Sequence, residues 1–152
     1  MNLDINLSFK YDYIIYTDGA CIGNPGPGGW AAILFHKKSK DILRGAEKQT
    51  TNNRMELIAS IQALKFIKTK AKINLFTDSK YLIDGINIWI KDWKSNNWKK
   101  NDNKDVKNVD LWKELDELVN FHYVEWNWVK GHSGNKNNEE VDRIARNEAE
   151  NI

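Results

Sequence analysis

Ile14-Ile15-Tyr16-Thr17-Asp18-Gly19 and Ile73-Asn74-Leu75-Phe76-Thr77-Asp78-Ser79 are two stretches of one chain that end alike. Each is a short run of β-branched, aromatic and aliphatic residues closed by an aspartate at a turn, which is how a buried strand reads. If the two lie side by side in a parallel sheet, Asp18 and Asp78 emerge together at its carboxyl edge, where open α/β sheets collect ligands. Working outward, Tyr11 to Thr17 is the first strand. Gly28 to Lys37 and Ile42 to Lys48 are shorter strands separated by the polar turn Lys38 to Lys40, which predicts an antiparallel meander. From Asn53 to Lys68 the period changes, because Leu57, Ile58, Ile61, Leu64 and Ile67 recur at helical spacing. Lys72 to Thr77 is the next strand and Ser79 to Ile90 a helix. Val109 to Val119 reads as a helix, Tyr123 to Val129 as a strand and Glu139 to Glu150 as the last helix. Hairpins first and strands separated by helices afterwards predict an α/β fold, a mixed sheet covered by helices.

The 152 residues make one domain's worth of chain, and no Pro/Gly/Ser-rich linker divides it. With 41% hydrophobic and 29% charged residues the composition is that of a globular domain. No apolar run approaches the length of a membrane span. Met1 to Phe9, interrupted by Asp4, lacks the pattern of a secretory leader, so the expected compartment is the cytoplasm. A lone cysteine, Cys21, forms neither an internal disulfide nor a multi-cysteine zinc site. The net charge of +2 is too small to imply a polyanionic partner, but its distribution is uneven. Between Trp89 and Asn108, Lys91, Lys94, Lys99, Lys100, Lys104 and Lys107 outnumber Asp92, Asp102 and Asp105, interleaved with Trp89, Trp93 and Trp98. Such a segment is either a solvated face anchored by tryptophans or a nucleic-acid surface, since lysines displace phosphate counterions and flat rings pack on sugars and bases.

The candidate chemical residues each have a plainer explanation. Asp18-Gly19 is a common turn pair and Asp78 a good helix N-cap. Glu56, three residues after Asn53, fits a capping box; Asp142 with Arg146, and Glu139 with Arg143, fit surface ion pairs. His132 sits in a short loop between Gly131 and Gly134. The alternative is that the carboxylates converge on divalent cations while the histidine titrates near neutrality. Periodicity leaves both readings open.

Four ordered motifs decide between them. Thr17-Asp18-Gly19-Ala20-Cys21-Ile22-Gly23-Asn24-Pro25-Gly26-Pro27-Gly28-Gly29-Trp30-Ala31-Ala32 resembles the first-strand signature of the type 1 ribonuclease H family, bacterial branch. Thr50-Thr51-Asn52-Asn53-Arg54-Met55-Glu56-Leu57, Thr77-Asp78-Ser79-Lys80-Tyr81, and Trp128-Val129-Lys130-Gly131-His132-Ser133-Gly134 with Asn138-Glu139 and Asp142 follow in the family's order, so the resemblance runs from about Tyr11 to Ala149. It implies a ribonuclease H-like fold with a five-stranded mixed sheet, three antiparallel strands plus parallel ones, flanked by helices. It implies a single catalytic domain, residues 1–152, with a basic protrusion at about 89–108. The implied activity is sequence-independent endonucleolytic hydrolysis of the RNA strand of RNA/DNA hybrids, leaving 5'-phosphate and 3'-hydroxyl ends.

Residue by residue, Asp18, Glu56, Asp78 and Asp142 match the family's metal-binding carboxylates, with Mg²⁺ the expected cofactor, two ions during catalysis, and Mn²⁺ a substitute. His132 matches a mobile histidine that carries protons or helps product leave. Cys21, Asn24, Asn52 and Glu56 match positions along the hybrid's minor groove, where the 2'-hydroxyl separates RNA from DNA. Thr51 and Asn108 match a pocket for a phosphate of the DNA strand, and Trp93 an aromatic that packs on a deoxyribose. The lysine and tryptophan segment then reads as the hybrid-binding protrusion. The chain departs from the family at Gln49, where many relatives carry arginine near the phosphate pocket, and at Lys80, where a neutral side chain is common. The aspartates of the protrusion dilute its charge. A monomer is expected. Competing readings are a transposase, integrase or junction resolvase of the same broad fold, a non-catalytic hybrid-binding module, and a basic scaffold for RNA loops. The His132 loop and Cys21-x-x-Asn24 argue against the first, and the complete set of carboxylates against the second.

Overall fold

The computed structural model describes residues 10–152; the N-terminal reading of Met1 to Phe9 lies outside the described residues. Five strands, β1 (Tyr13–Cys21), β2 (Gly26–His36), β3 (Ser39–Thr50), β4 (Lys72–Thr77) and β5 (Tyr123–Trp128), form one sheet in the order β3-β2-β1-β4-β5. β1, β2 and β3 pair antiparallel, whereas β4 runs parallel to both β1 and β5. The expected mixed sheet of three antiparallel strands plus parallel ones is therefore the observed one. The register matters for function: Thr17 pairs with Thr77, so the residues that follow, Asp18 and Asp78, stand side by side where the β1–β4 ladder ends.

Strand alternation divides the core into two. Ile15, Ala32, Leu34, Ile73 and Leu75 point to one face, where Leu57, Ile61 and Leu64 of α1 (Asn52–Phe66) and Trp112 and Leu115 of α4 (Val109–Phe121) cover them. Ile14, Tyr16, Ala31, Ile33 and Phe35 point to the other, against Val141, Ile144 and Ala145 of α5 (Lys136–Glu150). Side chains fully buried in this way are each worth about 1.5–3 kcal/mol, enough to fix α1 and α5 on opposite faces of the same strand, β1.

Several boundaries differ from the sequence reading: β1 starts at Tyr13 and runs through Asp18 and Gly19 to Cys21, because its pairing with β2 continues past Thr17, so Asp18-Gly19 is strand and not a turn. β3 begins at Ser39 because the turn after β2 is tight, with Lys37 at φ 53°, so pairing resumes at once between His36 and Ser39. The helix expected over Ser79 to Ile90 runs further, as α2 (Lys80–Asp84), a π-helical turn (Gly85–Trp89) and α3 (Ile90–Ser95). Its continuation carries Trp93 into contact with Trp89 and Trp112, at centroid distances of 5.8 and 5.4 Å. α5 starts at Lys136 rather than Glu139, because Asn135 caps it by accepting from the Asn138 N–H at 3.0 Å.

Candidate active site

β1 carries Asp18, which is 4% exposed, at the point where its pairing with β4 stops and its pairing with β2 continues. Even-numbered positions of β1 face α5 and odd ones face α1, so Gly19 lies under α1. A Cβ there would stand 2.4 Å from the Glu56 backbone nitrogen and 2.5 Å from the Met55 carbonyl carbon. Only glycine admits that approach, and it lets the Gly19 N–H donate to Glu56 Oε1. Glu56 is thus spent on the site and not on the helix end. The cap of α1 is Thr51, whose Oγ1 accepts from the Arg54 N–H at 3.2 Å, so no capping box forms. Asp78 is not an N-cap either: Ser79 takes that place, accepting from Leu82 N–H at 3.1 Å.

One carboxylate oxygen each of Asp18, Glu56 and Asp78 lies within 4.8 Å of the others. Burial, then the facing Glu56, drives the Asp18 carboxyl far above the usual carboxylate range. Burial likewise pushes Glu56 up to about 7, and the charge of Asp78 adds to it. Without a cation the cluster therefore keeps protons that isolated carboxylates would have lost. Asp142, from α5, stands against Asp18 and helps to raise it, but is outside the group of three. Its Oδ2 pairs with Arg146 at 3.1 Å, one helical turn on, so the ion pair suggested by spacing is real and coexists with its place beside the site. No Glu139–Arg143 pair occurs among the described residues.

The loop from Val129 to Asn135 is tied to the same end of β4. Val129 N–H donates to the Thr77 carbonyl at 2.9 Å, and the Trp128 indole to the Asp78 carbonyl at 3.2 Å. A Cβ on Gly131 would come within 3.0 Å of Asp78 Oδ2, so the loop passes directly over that carboxylate. His132 follows it, exposed and in the left-handed region at φ 55°. The structure thus brings His132's loop, though no contact of its ring, to the cluster.

The other candidate residues flank it. Asn52 N–H donates to Asn24 Oδ1 at 2.9 Å, and Cys21 Sγ contacts the carbonyls of Gly26 and Thr50 at 3.5 and 3.4 Å, so Cys21, Asn24 and Asn52 form one rim. Thr51 and Asn108 meet through Arg54: its backbone N–H reaches Thr51, and its guanidinium donates to Asn108 Oδ1 at 3.3 Å and to both oxygens of Asp110. Asn108 in turn donates to the Tyr81 hydroxyl at 3.1 Å. Trp93, on α3, is half-buried against Trp89 and Trp112. In the lysine-rich segment 89–108, Lys94 pairs with Asp116, Lys99 with Asp105 and Lys100 with Asp102.

The sequence reading took Gly19 for a turn residue and gave Arg54 and Asn138 no role beyond membership of a motif. Asn138 was visible as a motif member, and its position four residues before Asp142 places both on one face of α5.

Comparisons with known proteins agree with this geometry. The RNase H family model matches residues 10–150. Ribonuclease H of Francisella philomiragia subsp. philomiragia is 57% identical over 136 residues, 90% of each chain, and that of Francisella tularensis subsp. novicida 58% over the same length and shares. Among solved structures, LC9-RNase H1, a type 1 RNase H with the type 2 active-site motif, superposes with a TM-score of 0.83 at 33% identity, covering 91% of this chain and 72% of that one. LC11-RNase H1 in complex with an RNA/DNA hybrid shares the fold, with a TM-score of 0.67 at 17% identity, covering 91% and 97%. A family match over nearly all the described residues, close relatives along most of the chain and the convergence of three carboxylates beside the end of the β1–β4 ladder establish that this chain belongs to the RNase H family.

Proposed function

We propose that this protein hydrolyses the RNA strand of RNA/DNA hybrids, without sequence preference, to 5'-phosphate and 3'-hydroxyl ends. The observation that carries the reading is the approach of Asp18, Glu56 and Asp78 within 4.8 Å on three separate elements. Hard oxygen donors that close suit Mg²⁺, with Mn²⁺ as a substitute, and the raised Asp18 and Glu56 are what a cation-free site of this kind should show. Asp18, Glu56, Asp78 and, once turned from Arg146, Asp142 would hold two ions. When bound, these supply activation of the attacking water and stabilisation of the leaving oxygen. Hydrolysis joins the water oxygen to phosphorus and breaks the bond from phosphorus to the ribose O3', which takes up a proton. His132, exposed on the loop over Asp78, carries protons or eases product departure.

Substrate choice comes from the rim. Cys21, Asn24 and Asn52 read sugars along the minor groove, where only RNA offers a 2'-hydroxyl. Thr51 and Asn108 grip a phosphate of the DNA strand with Arg54 between them, and Trp93 packs on a deoxyribose. Contacts to sugars and phosphates position the duplex without specifying sequence. The protein acts as a monomeric single catalytic domain, residues 1–152, in the cytoplasm, with residues 89–108 as its basic protrusion. No helix among the described residues is long and apolar enough to cross a membrane.

The test is cleavage of an end-labelled RNA/DNA hybrid beside single-stranded RNA, duplex RNA and duplex DNA, with Mg²⁺ and after chelation. Metal-dependent cutting of the hybrid's RNA strand alone is expected. Tight hybrid binding with no cutting would mean a non-catalytic module, and equal cutting by Asp18→Asn would remove the metal-site assignment.

A further inference from the structure

Asp78 is the most exposed of the three clustered carboxylates and the one least able to stay there unaided. Asp18 and Glu56 are locked by burial, and Glu56 also by the Gly19 N–H. Asp78 follows the end of β4, where rotation about its side-chain bonds would carry the carboxylate into solvent and away from two acidic neighbours. One side-chain donor opposes that rotation. Asn138, on the first turn of α5 and 2% exposed, donates from Nδ2 to Asp78 Oδ2 at 3.3 Å. The orientation of the amide follows from chemistry, because a flip would set its oxygen against the carboxylate oxygen. The arrangement has a cost: Asn138 Oδ1 is buried with no hydrogen-bond partner. An orphaned buried acceptor costs about 1–3 kcal/mol, so an apolar side chain of similar size would suit stability as well or better at this position.

We infer that Asn138 is a positioning residue for the metal site: its side-chain N–H holds the partly exposed Asp78 carboxylate beside Asp18 and Glu56, so that three carboxyl groups are gathered before a cation arrives. The inference rests on the proposed metal-dependent activity and adds a residue that sets how tightly the site takes Mg²⁺. Two features of the chain support it. Asn138 is held rigidly, its own N–H fastened to Asn135 Oδ1. It also stands one helical turn before Asp142, so a single helix face orients one carboxylate and supplies another.

A merely structural asparagine and a positioning one predict different results for Asn138→Leu, which removes the donor and the orphaned acceptor while nearly keeping the volume. Mg²⁺ alone is titrated into metal-free parent and variant by calorimetry, melting temperatures are taken without metal, and hybrid cleavage is followed over a Mg²⁺ series. The expected result is a metal-free melting temperature at or above the parent's, Mg²⁺ binding weakened about tenfold, and cleavage that is lost at limiting Mg²⁺ and recovered at high Mg²⁺ with KM for hybrid unchanged. Parental Mg²⁺ affinity in a folded variant would overturn the inference. If the leucine variant fails to fold, Asn138→Ala, which leaves room for water, undergoes the same titration with the same two outcomes. Failure of the parent itself to bind Mg²⁺ would instead refute the metal-site reading on which the inference depends.

Discussion

Replacing Asp18 by asparagine should destroy activity yet stabilise the metal-free protein, and by an amount that depends on pH. A carboxyl whose folded pKa lies above its unfolded one binds its proton more tightly when folded. The stability it contributes is complete below the unfolded value, near pH 4, and is lost as pH rises through the folded value. For Glu56, raised from 4.5 to about 7, that loss is about 3 kcal/mol between those limits. Burial is the largest cause of that shift, and repulsion from the charge of Asp78, with an oxygen within 4.8 Å, adds to it. At 2–4 °C per kcal/mol for a chain of this length, the parent in chelator should melt about 5–10 °C lower at pH 8 than at pH 5. Asp18→Asn removes the carboxyl that burial and Glu56 raise furthest, and with it that group's own pH-dependent loss of stability, so its curve should be flatter and should lie above the parent's at pH 8. Saturating Mg²⁺ should raise the parent and close most of the gap, because a cation removes the same repulsion. The assay is thermal unfolding followed by circular dichroism over pH, with chelator or Mg²⁺. Parallel curves for the two proteins, unaffected by Mg²⁺, would refute the reasoning.

Gly19→Ala forces α1 off β1, so a loss of about 1–3 kcal/mol in urea unfolding and about a hundredfold in kcat are expected; a parental value of either would mean the close approach is not needed. His132→Ala should lower kcat by roughly a hundredfold with little change in KM or melting temperature, and its complete inactivity in single-turnover cleavage would contradict an auxiliary role. Asp105→Asn frees Lys99 from its partner, which also holds the Asp105 carboxyl below its usual range. Hybrid affinity at low salt should rise, and the slope of log K against log salt should steepen by about one, as measured by fluorescence anisotropy; an unchanged slope would show that Lys99 does not reach a phosphate.

Much of the fold was legible because the chain's periodicities are consistent with its packing. Ile14, Ile15 and Tyr16 alternate between two cores, and Leu57, Ile61 and Leu64 recur at helical spacing on one face, so strand and helix followed from local pattern alone. Matching Thr-Asp pairs on two strands anticipated that Asp18 and Asp78 stand side by side, and the register of Thr17 with Thr77 bears that out. The start of β3 and of α5 moved for local reasons, a tight turn and a cap, whereas the helix beyond Ile90 is drawn on by Trp93 packing against Trp112, a residue distant in sequence.

For the site, the sequence by itself supplied the residue types, their order and, through four motifs, the family. It could not say how any one of them is used. Whether Glu56 caps its own helix or faces Asp18 depends on how closely α1 approaches β1, which is set by the absence of a side chain at Gly19. Whether Asp142 pairs with Arg146 or joins the cluster, and that Asn138 steadies Asp78, depend on where α5 docks across the sheet. The physical reason is range: hydrophobic period and capping act over a few residues of chain, whereas burial, charge repulsion and hydrogen bonds act over a few ångströms of space. Only the folded chain brings residues 18, 56, 78 and 138 within those few ångströms.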